Sequence, residues 1–204
     1  MQAVQVFQSA PLIRVVVVDD SAIVRGLIVN ELDKHPEVEV VGRAANGQAA
    51  ISEVERLRPD VVVLDLEMPV MDGMTALPLI LEAHPGVRGV IASTLSQRNA
   101  RISLEALTLG AHDYVPKPQT GSLVSAEAFH TELAQKVLAL GAVQPKSAPA
   151  SVQVASSGAR IQPRVLAIGG STGAPPALLS LFEALRGLPL PILLTQHMPP
   201  TRPG

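Results

Sequence analysis

Short apolar runs alternate with helical patterns from Leu12 to about Leu140. The apolar runs are predicted strands: Ile13 to Val18, Val38 to Val41, Val61 to Leu66, Val87 to Ala92 and Asp113 to Val115. The first and third runs are apolar at consecutive positions, which is typical of central parallel strands covered by helices on both faces. The pattern therefore predicts a doubly wound α/β domain with a five-stranded parallel sheet over residues 12–140.

Helical spacing of apolar residues appears between these strands. Two stretches each place four such residues on one helical face: Ile23, Leu27, Ile28 and Leu32 in the first, and Phe129, Leu133, Val137 and Leu140 in the last. The last stretch is expected to close the domain. Pro78 falls inside the predicted third helix and removes one backbone hydrogen bond, so we expect that helix to start late or to be kinked.

A second segment follows a linker. Residues 141–163 contain no acidic residue and are rich in Ala, Ser, Gln and Pro, which indicates a flexible connection. Residues 164–204 then resume the pattern with the strand VLAI, a glycine-rich turn, a helix from about Pro175 and a strand in PILLTQHMPP. About 40 residues are too few to enclose a core. We therefore expect the first βαβ piece of a second, Rossmann-like α/β domain, cut short at its C-terminal end.

Composition narrows the possible partners. The chain is 47% hydrophobic and 17% charged with a net charge of -2, which fits a soluble globular protein and gives no general attraction to nucleic acid. The absence of cysteine excludes disulfides and thiolate metal sites. No apolar run approaches the roughly 20 residues that cross a bilayer, and the N-terminus lacks a secretion signal. The expectation is a cytoplasmic protein without membrane insertion.

Acidic residues follow two of the predicted strands. Asp19 and Asp20 come directly after the first strand, and Asp65 lies at the end of the third. A parallel sheet would bring these carboxylates to one edge, where such oxygen ligands suit Mg²⁺ and a cation relieves their repulsion. The alternative is that they are ordinary loop acids.

Two further polar residues would reach the same edge. Ser93 ends the fourth strand and Lys117 follows the fifth. A lysine supplies a point charge for a phosphoryl oxygen, and a serine hydroxyl supplies a hydrogen bond. Each alone is compatible with a surface lysine or a strand-end cap, but all five residues at successive strand ends favour a phosphoryl site.

The motifs VVVVDDS, LDLEMPVMDG, IASTLS and GAHDYVPKP together resemble the response-regulator receiver family over roughly residues 12–140. The resemblance implies a flavodoxin-like fold and phosphorylation of Asp65 by a histidine kinase. It also implies the remaining roles: Mg²⁺ on Asp20, Asp65 and the backbone carbonyl of Glu67, with Asp19 acting through water, and phosphate or switch contacts from Ser93, Tyr114 and Lys117. The added phosphoryl charge would draw Ser93 inward, and the ring of Tyr114 would follow.

The turn from Gly169 to Gly173 fits a GxSxG pattern with Ser171 at its centre. Its place between a strand and a helix is the context of a nucleophile elbow, but a phosphate-cradling loop and a structural glycine turn remain alternatives. His197 closes the next strand and would reach the same edge as Ser171. A histidine there could accept the serine proton, which favours the nucleophile elbow.

The sequences AIGGSTGAPP and LLTQHMPP, placed after a receiver and a linker, resemble the chemotaxis protein-glutamate methylesterase family, the CheB family. The resemblance implies hydrolysis of glutamate methyl esters and deamidation of glutamines on methyl-accepting chemoreceptors. It assigns Ser171 as nucleophile and His197 as base, with Thr172 beside them and no cofactor for the esterase. It also implies that the receiver covers the esterase site until it is phosphorylated.

Two departures from that family pattern stand out. The family usually has alanine in place of Gly170 and glycine in place of Ala174. More seriously, no acidic residue follows Glu183, although the family supplies a catalytic aspartate that orients its histidine. We therefore expect the 204 residues alone to lack appreciable esterase activity. The alternative is a receiver that works as a phosphate-dependent signalling or binding module with a vestigial tail.

Overall fold

The computed structural model describes residues 11–94, 97–118, 123–142 and 163–196. Within these ranges, seven strands and six helices alternate along the chain. The strands are β1 Ile13–Val18, β2 Val38–Ala44, β3 Val61–Asp65, β4 Arg88–Thr94, β5 Asp113–Lys117, β6 Leu166–Gly170 and β7 Ile192–Gln196. The helices are α1 Ala22–Leu32, α2 Gly47–Leu57, α3 Gly73–Ala83, α4 Gln97–Thr108, α5 Leu123–Gly141 and α6 Ala174–Ala184.

The first five strands form one parallel sheet in the order β2-β1-β3-β4-β5. One apolar cluster packs the sheet against α1 and α5, and a second packs its other face against α2, α3 and α4. Successive residues of β1, such as Val15 and Val16, belong to opposite clusters. This arrangement explains the continuous apolar runs and confirms the predicted flavodoxin-like fold.

Three strands extend beyond their apolar runs. β2, β4 and β5 continue to Ala44, Thr94 and Lys117. Their backbone pairing continues past the apolar positions, with Thr94 of β4 opposite Lys117 of β5. As a consequence, Lys117 is the last residue of a strand, and its side chain starts from a position fixed by the sheet.

The first helix differs from the predicted apolar face. Ile28 and Leu32 are buried, whereas Ile23 is 76% exposed and Leu27 is 47% exposed. The buried face of α1 turns toward the core through Ile28, Val29 and Leu32. The expectation that Ile23 and Leu27 share the core-facing side was therefore wrong, because an almost entirely apolar stretch does not show which of its faces meets the sheet.

The third helix contains the expected proline. α3 starts at Gly73, close behind the loop that follows β3, and carries Pro78 in its interior. Its first turn is capped by the Asp72 side chain, which accepts a hydrogen bond of 2.7 Å from the Thr75 amide. The cap explains why the helix begins at Gly73 and not after the proline.

The second segment forms a small sheet of its own. β6 and β7 pair in parallel, with Gly170 opposite Gln196, and α6 connects them. This is the start of a second α/β unit, and both of its strands expose much of their side-chain surface. Among the described ranges, no helix is long and apolar enough to cross a membrane.

Candidate functional site

Three carboxylates meet at the C-terminal edge of the first sheet. β1 and β3 are parallel neighbours, with Val18 opposite Leu64, so the residues that follow them arrive side by side. Ligand atoms of Asp19, Asp20 and Asp65 all lie within 4.8 Å of one another. Asp19 and Asp65 are 1% and 4% exposed, whereas Asp20 is exposed to solvent. The structure thus places together the three acids that the sequence singled out.

Lys117 reaches this group from the end of β5. Its ammonium nitrogen lies 2.7 Å from Asp65 Oδ2 and 2.5 Å from Asp19 Oδ2. The approach to Asp19 Oδ2 lacks hydrogen-bond geometry, so this buried oxygen has a close ion pair but no directed donor. Lys117 therefore bridges the two buried acids and offsets part of their repulsion.

Backbone groups fix the orientation of both buried carboxylates. The Ser21 amide donates to Asp19 Oδ1 at 2.9 Å, and the Glu67 amide donates to Asp65 Oδ1 at 3.3 Å. The guanidinium of Arg25 donates to the Asp19 carbonyl oxygen. These contacts leave the second oxygen of each carboxylate directed toward Lys117 and the centre of the group.

Burial dominates the electrostatics of Asp65. Desolvation raises the pKa of its carboxyl above the ordinary value of 3.8, and the nearby Asp19 charge adds to the rise, while Lys117 and the Glu67 amide oppose it. The ionised form of Asp65 is therefore held at a cost in this pocket. A cation that binds the carboxylates would favour the ionised form.

The donor set fits a magnesium ion. Three carboxylates offer hard oxygen ligands, and Asp19 Oδ2 is a buried oxygen without a hydrogen bond. Exposed Asp20 lies on the solvent side of the group, where an ion with its remaining waters could enter. The ligand role of the Glu67 carbonyl stays a prediction.

Gly73 allows the loop after β3 to close tightly. A Cβ atom added there would lie 2.1 Å from the Asp65 carbonyl oxygen and 2.8 Å from the Leu66 Cα. These neighbours are backbone atoms and cannot move aside cheaply. The start of α3 can therefore approach the Asp65 backbone only because residue 73 is glycine.

Ser93 lies at the end of β4, buried beneath α4. Its hydroxyl oxygen is 2.9 Å from that of Ser103 in α4, and either atom can be the donor. The next residue, Thr94, donates to Glu67 Oε2 at 2.8 Å and so links the ends of β3 and β4 at the rim of the acidic group. Sequence reasoning found Ser93 but neither of these contacts.

Tyr114 is buried in β5 beside an ionic network that the sequence did not reveal. The ammonium of Lys136, in α5, donates to Asp113 Oδ1 at 2.9 Å and to the Tyr114 carbonyl oxygen at 2.6 Å. It also lies 3.0 Å from Glu132 and 5.2 Å from the centre of the Tyr114 ring. Burial, followed by the charges of Asp113 and Glu132, raises the pKa of the Tyr114 hydroxyl. An apolar helix pattern with one lysine gave no signal that this lysine points inward.

Ser171 occupies the turn between β6 and α6 and is exposed. Its carbonyl oxygen accepts from the Ala174 amide at 3.0 Å and from the Gln196 side chain at 3.4 Å. Because Gly170 pairs with Gln196, Ser171 and residue 197 each follow one member of a register pair. His197 itself lies outside the described residues. Thr172 follows Ser171 in the same turn.

Gly170 and Ala174 share one small space. A Cβ atom added to Gly170 would lie 2.8 Å from Ala174 Cβ and 2.3 Å from Gln196 Oε1. A methyl group at position 170 would therefore lie too close both to the Ala174 methyl group and to the Gln196 side-chain oxygen. Glycine at position 170 thus leaves room for the alanine at position 174.

Comparisons with known proteins match both segments. The family model of the response regulator receiver domain matches residues 15–128, and that of the CheB methylesterase matches residues 166–204. The crystal structure of the response regulator domain of Thermotoga maritima CheB shares 36% identity at a TM-score of 0.59 and covers 66% of this chain and 99% of its own. The chain belongs to the response regulator receiver family and, within it, to the CheB type.

Curated relatives extend the likeness over both segments. A protein-glutamate methylesterase/protein-glutamine glutaminase of Rhodospirillum centenum is 46% identical over 92% of this chain and 56% of its own length. A protein of the same name from Rhodopseudomonas palustris is 41% identical over 98% of this chain and 58% of its own. The chain thus spans little more than half the length of these relatives.

Proposed function

We propose that the first segment is a phosphorylation-controlled switch in which Asp65 accepts a phosphoryl group from a histidine kinase. The observation that carries the proposal is the contact of buried Asp65 with both Lys117 and the neighbouring acids. A carboxylate oxygen of Asp65 attacks the phosphorus of the donor, and the bond to the leaving group breaks as the new one forms. The product carries added negative charge at a fixed point in the fold.

Each surrounding residue has a distinct part in this transfer. The Lys117 ammonium, 2.7 Å from Asp65 in the free state, pairs with an oxygen of the incoming phosphoryl group. The Ser93 hydroxyl supplies a hydrogen bond to another oxygen. Asp19 and Asp20, with Asp65, would hold Mg²⁺, and the bound ion would offset the charge that gathers on the phosphoryl oxygens.

The test is Mg²⁺-dependent labelling of the purified chain with a small phosphodonor. The label should be acid-stable and base-labile in the manner of an acyl phosphate on wild type, and it should be absent from Asp65→Asn. Asp72→Asn is the matched control, because an exposed asparagine caps α3 as well as aspartate does. Undiminished labelling of Asp65→Asn would refute the assignment.

We further propose that the second segment contributes Ser171 and His197 to a methylesterase and glutaminase site that acts on chemoreceptors. The parallel pairing of β6 and β7 supports the proposal, since it brings the ends of both strands to one edge. Ser171 would attack the ester carbonyl, His197 would take its proton and return it to the departing methanol, and water would then release the glutamate. Thr172 would border this site.

Control of the esterase by the receiver is the remaining part of the proposal. α6, which begins three residues after Ser171, contacts α4 of the receiver. The Leu140 side chain of α5 also lies against Gly173 at the start of α6. A phosphorylation-dependent shift of α4 would therefore reach the turn that carries Ser171.

A further inference from the structure

Ser93 does not direct its hydroxyl to the acidic group. Among the described residues, its hydrogen-bond partner is Ser103, on the inner side of α4, and the two hydroxyl oxygens are 2.9 Å apart. Ser103 is 3% exposed and has no catalytic or metal-binding part in the mechanism above. The contact joins the end of β4 to the middle of α4, ten positions along the chain.

The surroundings of this contact make it costly to break. The apolar cluster on this face of the sheet includes Ile91, Ala106, Leu107 and Tyr114. A hydroxyl in such surroundings that loses its partner is left buried and unsatisfied. While Asp65 carries no phosphoryl group, each of the two serine hydroxyls is therefore the hydrogen-bond partner of the other.

A phosphoryl group on Asp65 would compete for the same hydroxyl. If Ser93 swings toward a phosphoryl oxygen, its oxygen leaves Ser103, and the Ser103 hydroxyl must find water or another partner. The loss of that contact belongs to the active state and not to the resting state. The strength of the Ser93–Ser103 bond thus enters the equilibrium between the two states directly.

We infer that Ser103 is a positioning residue that holds Ser93 toward α4 in the unphosphorylated protein and sets the threshold of the switch. This inference rests on the proposed function of Asp65. Because Ser103 belongs to the helix that contacts α6, release of Ser93 also removes one hydrogen bond that links this helix to β4.

The experiment measures how tightly the full chain binds beryllofluoride, a stable mimic of the phosphoryl group, in the presence of Mg²⁺. Tyr114 is the one tyrosine of a chain without tryptophan, so the intrinsic emission reports on it alone. Ser103→Ala should lower the apparent Kd by about two- to tenfold, because loss of one hydrogen bond raises the fraction of the binding-competent state by that factor. Ser103→Thr keeps a hydroxyl and should bind like wild type.

A double-mutant comparison separates this effect from a general loosening of the fold. In a Ser93→Ala background, the further change Ser103→Ala should leave the apparent Kd unchanged, since no hydroxyl remains to be released. Ser103→Cys is nearly isosteric with serine but a weaker hydrogen-bond donor. In the protein that retains Ser93, it should shift the apparent Kd in the same direction as Ser103→Ala. This variant replaces Ser103→Ala in the experiment if the alanine variant does not fold.

Three outcomes would overturn the inference. An unchanged or raised Kd in Ser103→Ala would show that the contact does not favour the resting state, although wild type still bound beryllofluoride. An equal shift with and without Ser93 would show that Ser103 acts through the fold and not through Ser93. If wild type bound beryllofluoride in the presence of Mg²⁺ no better than Asp65→Asn does, both the proposed function and this inference would be overturned.

Discussion

At the scale of single residues, the central feature is a carboxylate that the fold keeps in an unfavourable place. Asp65 is buried beside Asp19, and burial raises its pKa in spite of the Lys117 ammonium at 2.7 Å. A cation or a phosphoryl transfer changes this balance, whereas in the free protein Lys117 and the Glu67 amide alone lower the pKa of Asp65. Burial of the Asp65 carboxylate beside Asp19 therefore both favours its reaction and destabilises the folded protein.

The raised pKa predicts how stability depends on pH without Mg²⁺. Between 3.8 and the raised value the folded state binds more protons than the unfolded state, so the free energy of unfolding should fall as pH rises through that window. Asp65→Asn should abolish this contribution and be more stable than wild type at neutral pH. Urea unfolding over a pH series measures both effects.

Two comparisons make that measurement specific. Asp72→Asn, an exposed change at the cap of α3, should retain the wild-type pH dependence. Added Mg²⁺ should stabilise wild type more than Asp65→Asn, because the ion binds the folded carboxylate group. An Asp65→Asn protein that is less stable than wild type at neutral pH would contradict the electrostatic account.

At the scale of elements, the ends of the strands determine the site. Apolar runs locate β1, β3, β4 and β5 in the sequence, and parallel pairing then brings Asp19, Asp65, Ser93 and Lys117 to one edge. This much followed from the sequence because strand ends are marked by the change from apolar to polar residues.

Helix orientation did not follow from the sequence in the same way. Ile23 is exposed although it looked like a core residue, and Ser103 and Lys136 are buried although their residue types are common on surfaces. The face that a helix turns inward depends on how the helix packs against the sheet. This packing cannot be read from the residues of the helix alone. The contacts that hold Ser93 and Tyr114 in place therefore required the structure.

The buried network between β5 and α5 makes a second prediction. Lys136→Met should lower the free energy of unfolding by about 3 to 5 kcal/mol, because it leaves the Asp113 carboxylate buried without its partner. Lys34→Met removes an exposed pair with Glu31 and should cost less than about 1 kcal/mol. If chemical denaturation showed the same loss in free energy of unfolding for both substitutions, the buried Lys136 network would not stabilise the fold more than an exposed ion pair does.

At the scale of the whole molecule, a complete receiver precedes a short α/β segment that carries Ser171. The chain spans 56% of a relative named for methylesterase and glutaminase activity. Within the 204 residues, no acidic residue follows Glu183 to orient His197. The 204 residues thus include all the predicted site residues of the receiver but no carboxylate after Glu183 for the predicted esterase site.

This difference predicts the activity of the purified chain. Methylated chemoreceptor incubated with the 204 residues should release no more methanol than it does with Ser171→Ala, with or without phosphodonor. Gas chromatography of the released methanol provides the measurement. Release by wild type that is lost in Ser171→Ala would show that Ser171 and His197 work without a carboxylate from this stretch, and it would also exclude the alternative of a vestigial tail.

The most direct test of the central claim is to trap the phosphorylated residue chemically. The chain is treated with a small phosphodonor and Mg²⁺ and then with borohydride, which reduces an aspartyl phosphate to homoserine, and the peptides are sequenced by mass spectrometry. We expect conversion at position 65 alone, dependent on Mg²⁺ and absent in Asp65→Asn. Conversion at a different aspartate, or none at position 65 under conditions that label the chain, would contradict it.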